Sequence, residues 1–257
     1  MSAASRLILI TGASGAIGGA LACAYAAPGV KLILQGRDLI ALQVTAHRCT
    51  LRGAQVSLLQ LDLSEPEALQ SWLDSLLGEQ LPDLVILAAG VNINAQAEQG
   101  EDPVRSQSLL ALNFLAPIQI AQALAPRMKA RGSGQLVFIS SLAAWHGLPI
   151  TPSYSASKAG IKAYGEALRG WLAPHGVGVS VVMPGYVKSP MADGMLGPKP
   201  WVWSPQRAAL VIRRGIQRNK ARISFPFPLN VGSWCLAVMP AALSQRFVTW
   251  LGYGVKR

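Results

Sequence analysis

Short apolar runs alternate with longer helical segments along this chain, and that alternation limits the fold more than any other feature. Most runs are apolar at consecutive positions, as strands are when both faces of a parallel sheet are covered. Repeated β-α-β units with right-handed crossovers therefore predict an α/β fold, a Rossmann-like doubly wound parallel sheet. The predicted strands are 6–10, 30–34, 55–59, 84–87, 135–139 and 177–182, and the predicted helices are 16–27, 39–52, 65–78, 102–131 and 153–173. Beyond residue 193 the alternation stops, except for a predicted helix over 204–221 and a last strand over 222–225.

The 257 residues and their composition suit one large globular domain. With 51% hydrophobic and 14% charged residues, the chain is too apolar for intrinsic disorder. We expect a single domain over 1–257, with a core over 5–193 and a C-terminal extension over 194–257. The three scattered cysteines match neither a disulfide framework nor a metal-ligand spacing, so we expect no metal and favour a reducing compartment, the cytoplasm. The first apolar run, 7–10, is too short for a signal peptide.

A glycine-rich turn follows the first predicted strand and opens the first predicted helix. Its glycines are Gly12, Gly15 and Gly18. Glycine lets the backbone turn tightly and approach a pyrophosphate, and a helix N-terminus offers unpaired N–H groups and a partial positive charge. The turn predicts a dinucleotide site; a turn that serves only helix–strand packing is the alternative.

The end of the second predicted strand bears on the choice between NADP and NAD. Asp38 lies 20 residues past Gly18, about where NAD-binding folds carry an acid for the ribose. It comes after the strand end, however, and is better interpreted as the N-cap of the next helix. Arg37 is then free to pair its guanidinium with a 2′-phosphate. We therefore expect NADP rather than NAD.

A tyrosine and a lysine four residues apart, Tyr154 and Lys158, lie on one face of the predicted helix 153–173. A free tyrosine has a pKa of about 10, and a nearby cation favours its phenolate. Ser141, 13 residues upstream of the tyrosine and just past a strand, can hold a carbonyl oxygen beside the phenol. Asn113 lies inside a long apolar helix, where a buried amide needs partners, and a water chain to Lys158 would supply them. The set predicts proton transfer at a carbonyl.

These residues, in this order and spacing, resemble the compact single-domain type of the short-chain dehydrogenase/reductase family. The resemblance covers about residues 5–190. The matching positions are Gly12, Gly15 and Gly18, Asp62, the turn Ala88-Ala89-Gly90, Asn113, Ser141, Tyr154, Lys158 and the segment Pro184-Gly185-Tyr186-Val187-Lys188-Ser189. Two positions depart from the family: Gly15 comes one place early, and Ala88 stands where asparagine is usual.

The resemblance implies an NAD(P)-dependent enzyme that interconverts a carbonyl and an alcohol. It implies that Tyr154 is the general acid in reduction and the base in oxidation, and that Ser141 orients the carbonyl. It also implies that Lys158 lowers the tyrosine pKa and holds the nicotinamide ribose, while Asn113 supports a proton-relay water. The implied cofactor contacts are Gly12, Ser14, Gly15, Ile17, Gly18, Arg37, Asp62, Leu63, Ala89, Gly90, Tyr154, Lys158, Pro184, Gly185, Val187 and Ser189.

Two further expectations concern the surroundings of this site. Family analogy suggests a homodimer or homotetramer formed through the helices over 102–131 and 153–173. Tyr186 and Met191 either line the substrate pocket or belong to a simple lid.

The C-terminal extension carries nearly all of the net charge of +11. From residue 194 onward there are ten Lys or Arg, no Asp or Glu, and four of the seven tryptophans. Residues 223–245 are 23 positions without a charge, but Pro226, Pro228 and Pro240 argue against a clean membrane span. We expect a segment lying on an anionic membrane surface, with an oligomer interface or ordinary core cover as the alternative. No nucleic-acid-binding module is apparent.

The sequence as a whole predicts an NADP(H)-dependent carbonyl reductase or alcohol dehydrogenase. Its substrate is expected to be apolar or lipid-like, which places it in lipid metabolism, peripheral on the inner face of a membrane. A soluble 3-oxoacyl-thioester reductase is the alternative, because an acidic carrier would also meet the basic extension. An NAD(P)-sensing binding protein without turnover is an alternative from another class, and the full Asn/Ser/Tyr/Lys set argues against it.

Overall fold

The computed structural model describes residues 6–78, 80–96 and 99–254. In this part of the chain, seven parallel strands form one sheet in the order β3-β2-β1-β4-β5-β6-β7, which confirms the predicted Rossmann-like fold. The strands are β1 Arg6–Thr11, β2 Val30–Gly36, β3 Gln55–Gln60, β4 Leu84–Leu87, β5 Gly134–Ile139, β6 Val177–Pro184 and β7 Arg222–Phe225. The α-helices are α1 Ala16–Tyr25, α2 Leu39–Thr50, α3 Pro66–Gly78, α4 Pro103–Leu110, α5 Ala116–Arg131, α6 Pro152–Leu172, α7 Pro190–Gly194, α8 Pro205–Gln217, α9 Leu229–Val238 and α10 Ala241–Val248. Two π-helical turns lie at Ala111–Leu115 and Thr249–Tyr253.

Helices cover both faces of the sheet, which is why the central strands are apolar throughout. In β1, Ile8 and Ile10 pack with residues of α1, α2 and α8, whereas Leu9 packs with residues of α3, α5 and α6. All three side chains are fully buried. Successive side chains of a strand point to opposite faces, so a sheet covered on both faces requires consecutive apolar residues.

The strand order reverses beside β1, and this reversal positions the site. β1 pairs with β2 on one side and with β4 on the other. Open α/β sheets bind ligands in the crevice that such a reversal creates beyond the carboxyl ends of the strands. The glycine turn after Thr11 and the turn after Leu87 both enter this crevice.

The helix predicted over 102–131 is present over 103–131, where one π-helical turn joins α4 to α5 without a break. Pro117 has no N–H to offer the carbonyl of Asn113, four residues earlier, so one α-helical hydrogen bond is missing next to this turn. By length and composition, 103–131 is also the one described helix that could cross a membrane, but half of its most apolar stretch is buried inside the protein.

The C-terminal extension completes the sheet and then covers the crevice. Ser204 caps α8, accepting a hydrogen bond from the Arg207 N–H at 3.3 Å. The predicted helix over 204–221 is thus present as α8, which ends at Gln217, and β7 adds to β6 at the sheet edge as the predicted last strand. α9, α10 and the second π-helical turn follow, and Leu236 packs with Val248 and Tyr253. The last helices therefore form one wall of the crevice.

Candidate active site

A cavity of about 860 Å³ opens at the crevice beside β1. Its walls come from the glycine turn, the ends of β2, β4, β5 and β6, the start of α6 and the C-terminal extension. Sixteen residues predicted to touch cofactor or substrate line it: Gly12, Ser14, Gly15, Ile17, Gly18, Arg37, Leu63, Ala89, Gly90, Ser141, Tyr154, Lys158, Pro184, Gly185, Val187 and Ser189. Asp62 and Asn113 are the two predicted site residues that are not among its walls.

The glycine turn is held so tightly that two of its glycines have no room for a side chain. Gly12 has a left-handed φ of 65°, and a Cβ there would lie 2.7 Å from the backbone of Ala89. A Cβ on Gly18 would fall within the contact radius of the Gly12 carbonyl oxygen. Gly15 is the N-cap of α1 with an ordinary φ of −85°, and its Cβ would lie 3.2 Å from the same oxygen. The early position of Gly15 is therefore compatible with a closed turn.

Two polar residues that the sequence analysis gave no role hold this turn in place. The Oε1 atom of Gln35 accepts from the Gly12 N–H at 3.1 Å, while its Nε2 donates to a backbone carbonyl just past β3 at 2.6 Å. The Thr11 hydroxyl accepts from the N–H groups of Ala88 and Ala89, at 3.1 and 3.2 Å. The backbone position of this second turn is thus fixed although Ala88 replaces the usual asparagine. A polar residue at the end of an apolar strand was the signal available in the sequence.

Arg37 stands at the edge of the cavity beside an acidic partner. Asp38 caps α2, as predicted, by accepting from the Ala41 N–H at 3.0 Å. The Arg37 guanidinium, 54% exposed, lies 3.2 Å from the carboxylate of Asp62, which also accepts from the N–H and hydroxyl of Ser64. Burial opposes ionisation of Asp62, but the hydrogen bonds from Ser64 and Arg37 outweigh it and hold the carboxyl pKa below its ordinary value. A phosphate arriving at Arg37 would compete with this carboxylate.

The predicted catalytic side chains meet at the end of β5. Tyr154 and Lys158 line the cavity from the first turns of α6, with the Lys158 Nζ 5.6 Å from the centre of the Tyr154 ring. The Lys158 ammonium donates to the Ile139 carbonyl at 3.0 Å. The Ser141 hydroxyl accepts from the Ala143 N–H at 3.1 Å, lines the cavity with Tyr154 and favours ionisation of the Tyr154 phenol. Its neighbour Ser140 instead donates to the Lys158 carbonyl at 2.7 Å and so serves to hold α6 against the sheet.

Burial decides the protonation of this pair. It raises the pKa of the Tyr154 phenol above its ordinary value, and the hydrogen bond from Ser141 acts in the opposite direction without cancelling it. It lowers the pKa of Lys158 to about 8. The expected depression of the tyrosine pKa by the lysine is thus not the net result, because the cost of burying a phenolate is larger.

Asn113 joins the two halves of the site from behind the cavity wall. Its Oδ1 accepts from the Val91 N–H at 2.9 Å, and its Nδ2 donates to the Val91 carbonyl at 2.8 Å and to the Ser157 hydroxyl at 3.3 Å. The buried amide therefore has protein hydrogen-bond partners, and the relay water beside it stays a prediction. A Cβ on Gly90 would lie 3.1 Å from the Asn113 Oδ1 and 3.3 Å from the Lys158 Nζ. Asn113 holds the turn after β4 against α6 and so positions the lysine.

The end of the cavity away from the glycine turn is apolar and built largely from the C-terminal extension. Tyr186 and Met191 both line the cavity. The Tyr186 hydroxyl donates to that of Tyr253 at 3.2 Å, which in turn donates to the Pro198 carbonyl at 2.7 Å. The apolar side chains around them are Leu148, Met195, Leu229, Leu236, Phe247, Val248 and Leu251. The sequence pattern did not identify these lining residues, because the extension shows no periodicity that marks one of its faces as inward.

The cavity fits a dinucleotide. The glycine turn leaves a space beside its backbone that a Cβ would fill. α1 begins at this turn with no acidic residue in its first turn, and the Arg37 guanidinium lies at the end of β2. The sheet and this cavity define a nicotinamide-dependent oxidoreductase of the Rossmann type. The sequence profile of the short chain dehydrogenases matches residues 6–196, and the chain belongs to the short-chain dehydrogenase/reductase family.

Individual relatives agree with this assignment. An uncharacterized oxidoreductase of Myxococcus xanthus is 34% identical over 93% of this chain and 94% of its own length. A protein of a Nostoc species named ketoacyl reductase HetN is 33% identical over 71% of this chain and 63% of its own length. A short-chain dehydrogenase from Sphingobium yanoikuyae, solved in complex with NADPH, superposes with a TM-score of 0.81 at 26% identity and covers 95% of both chains.

Proposed function

We propose that this protein transfers a hydride between NADP(H) and a carbonyl–alcohol pair. The observation that carries the proposal is that Tyr154, Ser141 and Lys158 line one cavity, with the Lys158 ammonium beside the Tyr154 ring. The other end of that cavity is the glycine cradle. When bound, the nicotinamide supplies or accepts the hydride.

The side chains account for the proton. In reduction, the substrate oxygen accepts hydrogen bonds from Tyr154 and Ser141. The buried phenol keeps its proton, because its pKa is raised, until the oxygen gains negative charge and takes it. Lys158 is charged below about pH 8 and then stabilises the phenolate that remains. Oxidation runs the same transfer in reverse, with the phenolate as base.

Arg37 supports NADP(H) over NAD(H). It lines the cavity at the end of β2. Asp38 lines the same part of the cavity, but one oxygen of its carboxylate is engaged as the cap of α2. The NADPH bound in the Sphingobium yanoikuyae structure supports the same choice.

An apolar substrate fits the far end of the cavity. Most side chains there are leucine, valine, methionine and phenylalanine, and the hydroxyls of Tyr186 and Tyr253 bond to one another. His146 and Ser233 are further polar residues of the cavity wall. The second candidate is a 3-oxoacyl-thioester reductase, which the relative named ketoacyl reductase favours. A free apolar ketone and a 3-oxoacyl thioester, compared at equal concentration, separate the two.

The proposal includes a homodimer or homotetramer in the cytoplasm. α4–α5 and α6 are the helices expected to meet across subunits. Sedimentation velocity of the full chain measures this directly, and a monomer at all concentrations would contradict it.

The test of the reaction compares two tyrosine variants on one helix. Tyr154→Phe should lower NADPH-dependent ketone reduction by about 10²–10⁴-fold, the usual worth of a placed general acid. Tyr164→Phe is the matched control, since Tyr164 packs edge-on against Phe138 at 5.7 Å and does not line the cavity. Both variants should bind NADPH. Normal turnover by Tyr154→Phe on any accepted ketone contradicts the mechanism.

A further inference from the structure

α9 is apolar on both of its faces. Its inner face lines the cavity through Leu229, Gly232, Ser233 and Leu236. Its outer face exposes Val231, Trp234 and Val238 to solvent. The helix contains no charged residue, and none of its residues is buried. A helix on a water-exposed surface normally carries polar residues on its outer face, so this one is built for a less polar medium.

α10 and the turn after it continue the same surface. Trp250 is 78% exposed, and its ring lies 5.7 Å from that of Phe247. Phe247 and Leu251 are partly exposed and also line the cavity. We call the exposed apolar side chains of α9, α10 and residues 250–251 the apolar roof. Because some of its residues line the cavity, the apolar roof is continuous with the cavity wall.

The segment that carries the apolar roof has charges of one sign. Residues 194–254 hold eight Lys or Arg and no Asp or Glu. Arg246, exposed on α10, directly precedes Phe247, whereas Arg222, before the uncharged stretch 223–245, is paired with Glu166. An exposed apolar surface on a segment whose own charges are all cations is complementary to an anionic lipid surface.

We propose that the apolar roof docks on an anionic lipid bilayer and that the cavity exchanges its substrate with that bilayer. The second half of this statement rests on the proposed function; the first half does not. A second copy of the chain is the less favourable occupant, because a two-fold contact would bring the same cations together. Tryptophan and leucine add an apolar contribution to docking that salt does not screen, whereas each cation near the surface contributes about 1 kcal/mol that salt does screen.

The apolar contribution is tested by co-sedimentation with vesicles of phosphatidylcholine and phosphatidylglycerol in equal parts. The full chain should bind these vesicles at low salt, bind pure phosphatidylcholine weakly, and lose part but not all of its binding in high salt. Trp234→Ser combined with Trp250→Ser should weaken partitioning by about tenfold or more, since two large apolar side chains leave the interface. Trp171→Ser is the matched control, because Trp171 on α6 is 53% exposed and Trp234 is 48% exposed.

The charge contribution is tested by reversal of a single cation. Arg246→Glu should weaken binding to the anionic vesicles by at least about fivefold, the equivalent of 1 kcal/mol. Arg48→Glu, an equal change on the exposed side of α2, should have a much smaller effect. Equal effects of the two reversals, or equal effects of the tryptophan double variant and Trp171→Ser, overturn the proposal.

Two readouts keep this inference separate from the proposed reaction. Vesicle binding is measured with no substrate, so ketone turnover without vesicle binding refutes docking and leaves the reaction standing. Vesicle binding by a chain that reduces no ketone refutes the reaction and leaves docking standing. Sedimentation velocity of the tryptophan double variant supplies the remaining test: if oligomers dissociate, the apolar roof is a self-contact and the docking proposal fails.

Discussion

Replacing Arg37 with alanine tests how the cofactor is chosen. The side chain is 54% exposed and lies 3.2 Å from Asp62, so in the free protein its charge is already partly neutralised. A charge-assisted hydrogen bond to a phosphate contributes about 1.5–3 kcal/mol, and giving up an exposed ion pair costs about 0.2–1 kcal/mol. The difference, about 0.5–2.8 kcal/mol, predicts that Arg37→Ala weakens NADPH binding by about 2- to 100-fold and changes NADH binding less than about twofold.

Isothermal titration calorimetry at fixed ionic strength measures both affinities. Arg48→Ala, an equal loss of charge on the exposed side of α2, is the control for long-range electrostatics. Asp62→Asn adds a second arm, because it releases Arg37 and should tighten NADPH binding by up to about fivefold. If Asp62 instead contacts the adenosine, that variant weakens NADPH and NADH alike. Equal losses for the two cofactors in Arg37→Ala would refute the role given to the guanidinium.

Two further predictions concern the turn and the lysine. Gly18→Ala should destabilise the protein by about 1–3 kcal/mol in urea unfolding, because its Cβ meets backbone that cannot move aside, and it should weaken NADPH binding as well. Gly15→Ala, with 3.2 Å to the same carbonyl, should cost less, and equal losses for the two would contradict the geometry. The kcat/KM for ketone reduction should fall above about pH 8 as Lys158 loses its proton. Folding stability should rise over the same pH range, because Lys158 in the unfolded chain still holds its proton up to about pH 10.4. A stability profile that stays flat up to that pH would contradict the lowered pKa of Lys158.

The strands and the chemistry-bearing motifs could be predicted because each depends on local sequence. A run such as Leu7 to Ile10 can only be buried on both faces, and the Tyr154/Lys158 spacing places two side chains on one helix face. The cap at Asp38 follows equally from its place between a strand and a helix.

What could not be predicted depends on long-range contacts. The hydrogen bonds of Asn113 to the Val91 backbone join segments 22 residues apart, and Asn113 lies on a π-helical turn. The raised pKa of Tyr154 reflects burial of its phenol, which no motif reports. The inward face of α9 is set by what it covers, since its two faces have the same apolar character.

The hydroxyl pair of Tyr186 and Tyr253 joins two parts of the chain that supply different parts of the cavity. Every cofactor and catalytic residue discussed above lies before residue 190, whereas the apolar roof is one uninterrupted stretch after β7, fastened to the rest by Tyr253 through Tyr186 and Pro198. A single junction near Phe225 therefore separates the residues proposed to carry the reaction from many of the apolar residues that line the far end of the cavity. Exchanging the sequence beyond that junction between relatives would remodel the choice of substrate while Ser141, Tyr154 and Lys158 stay where they are.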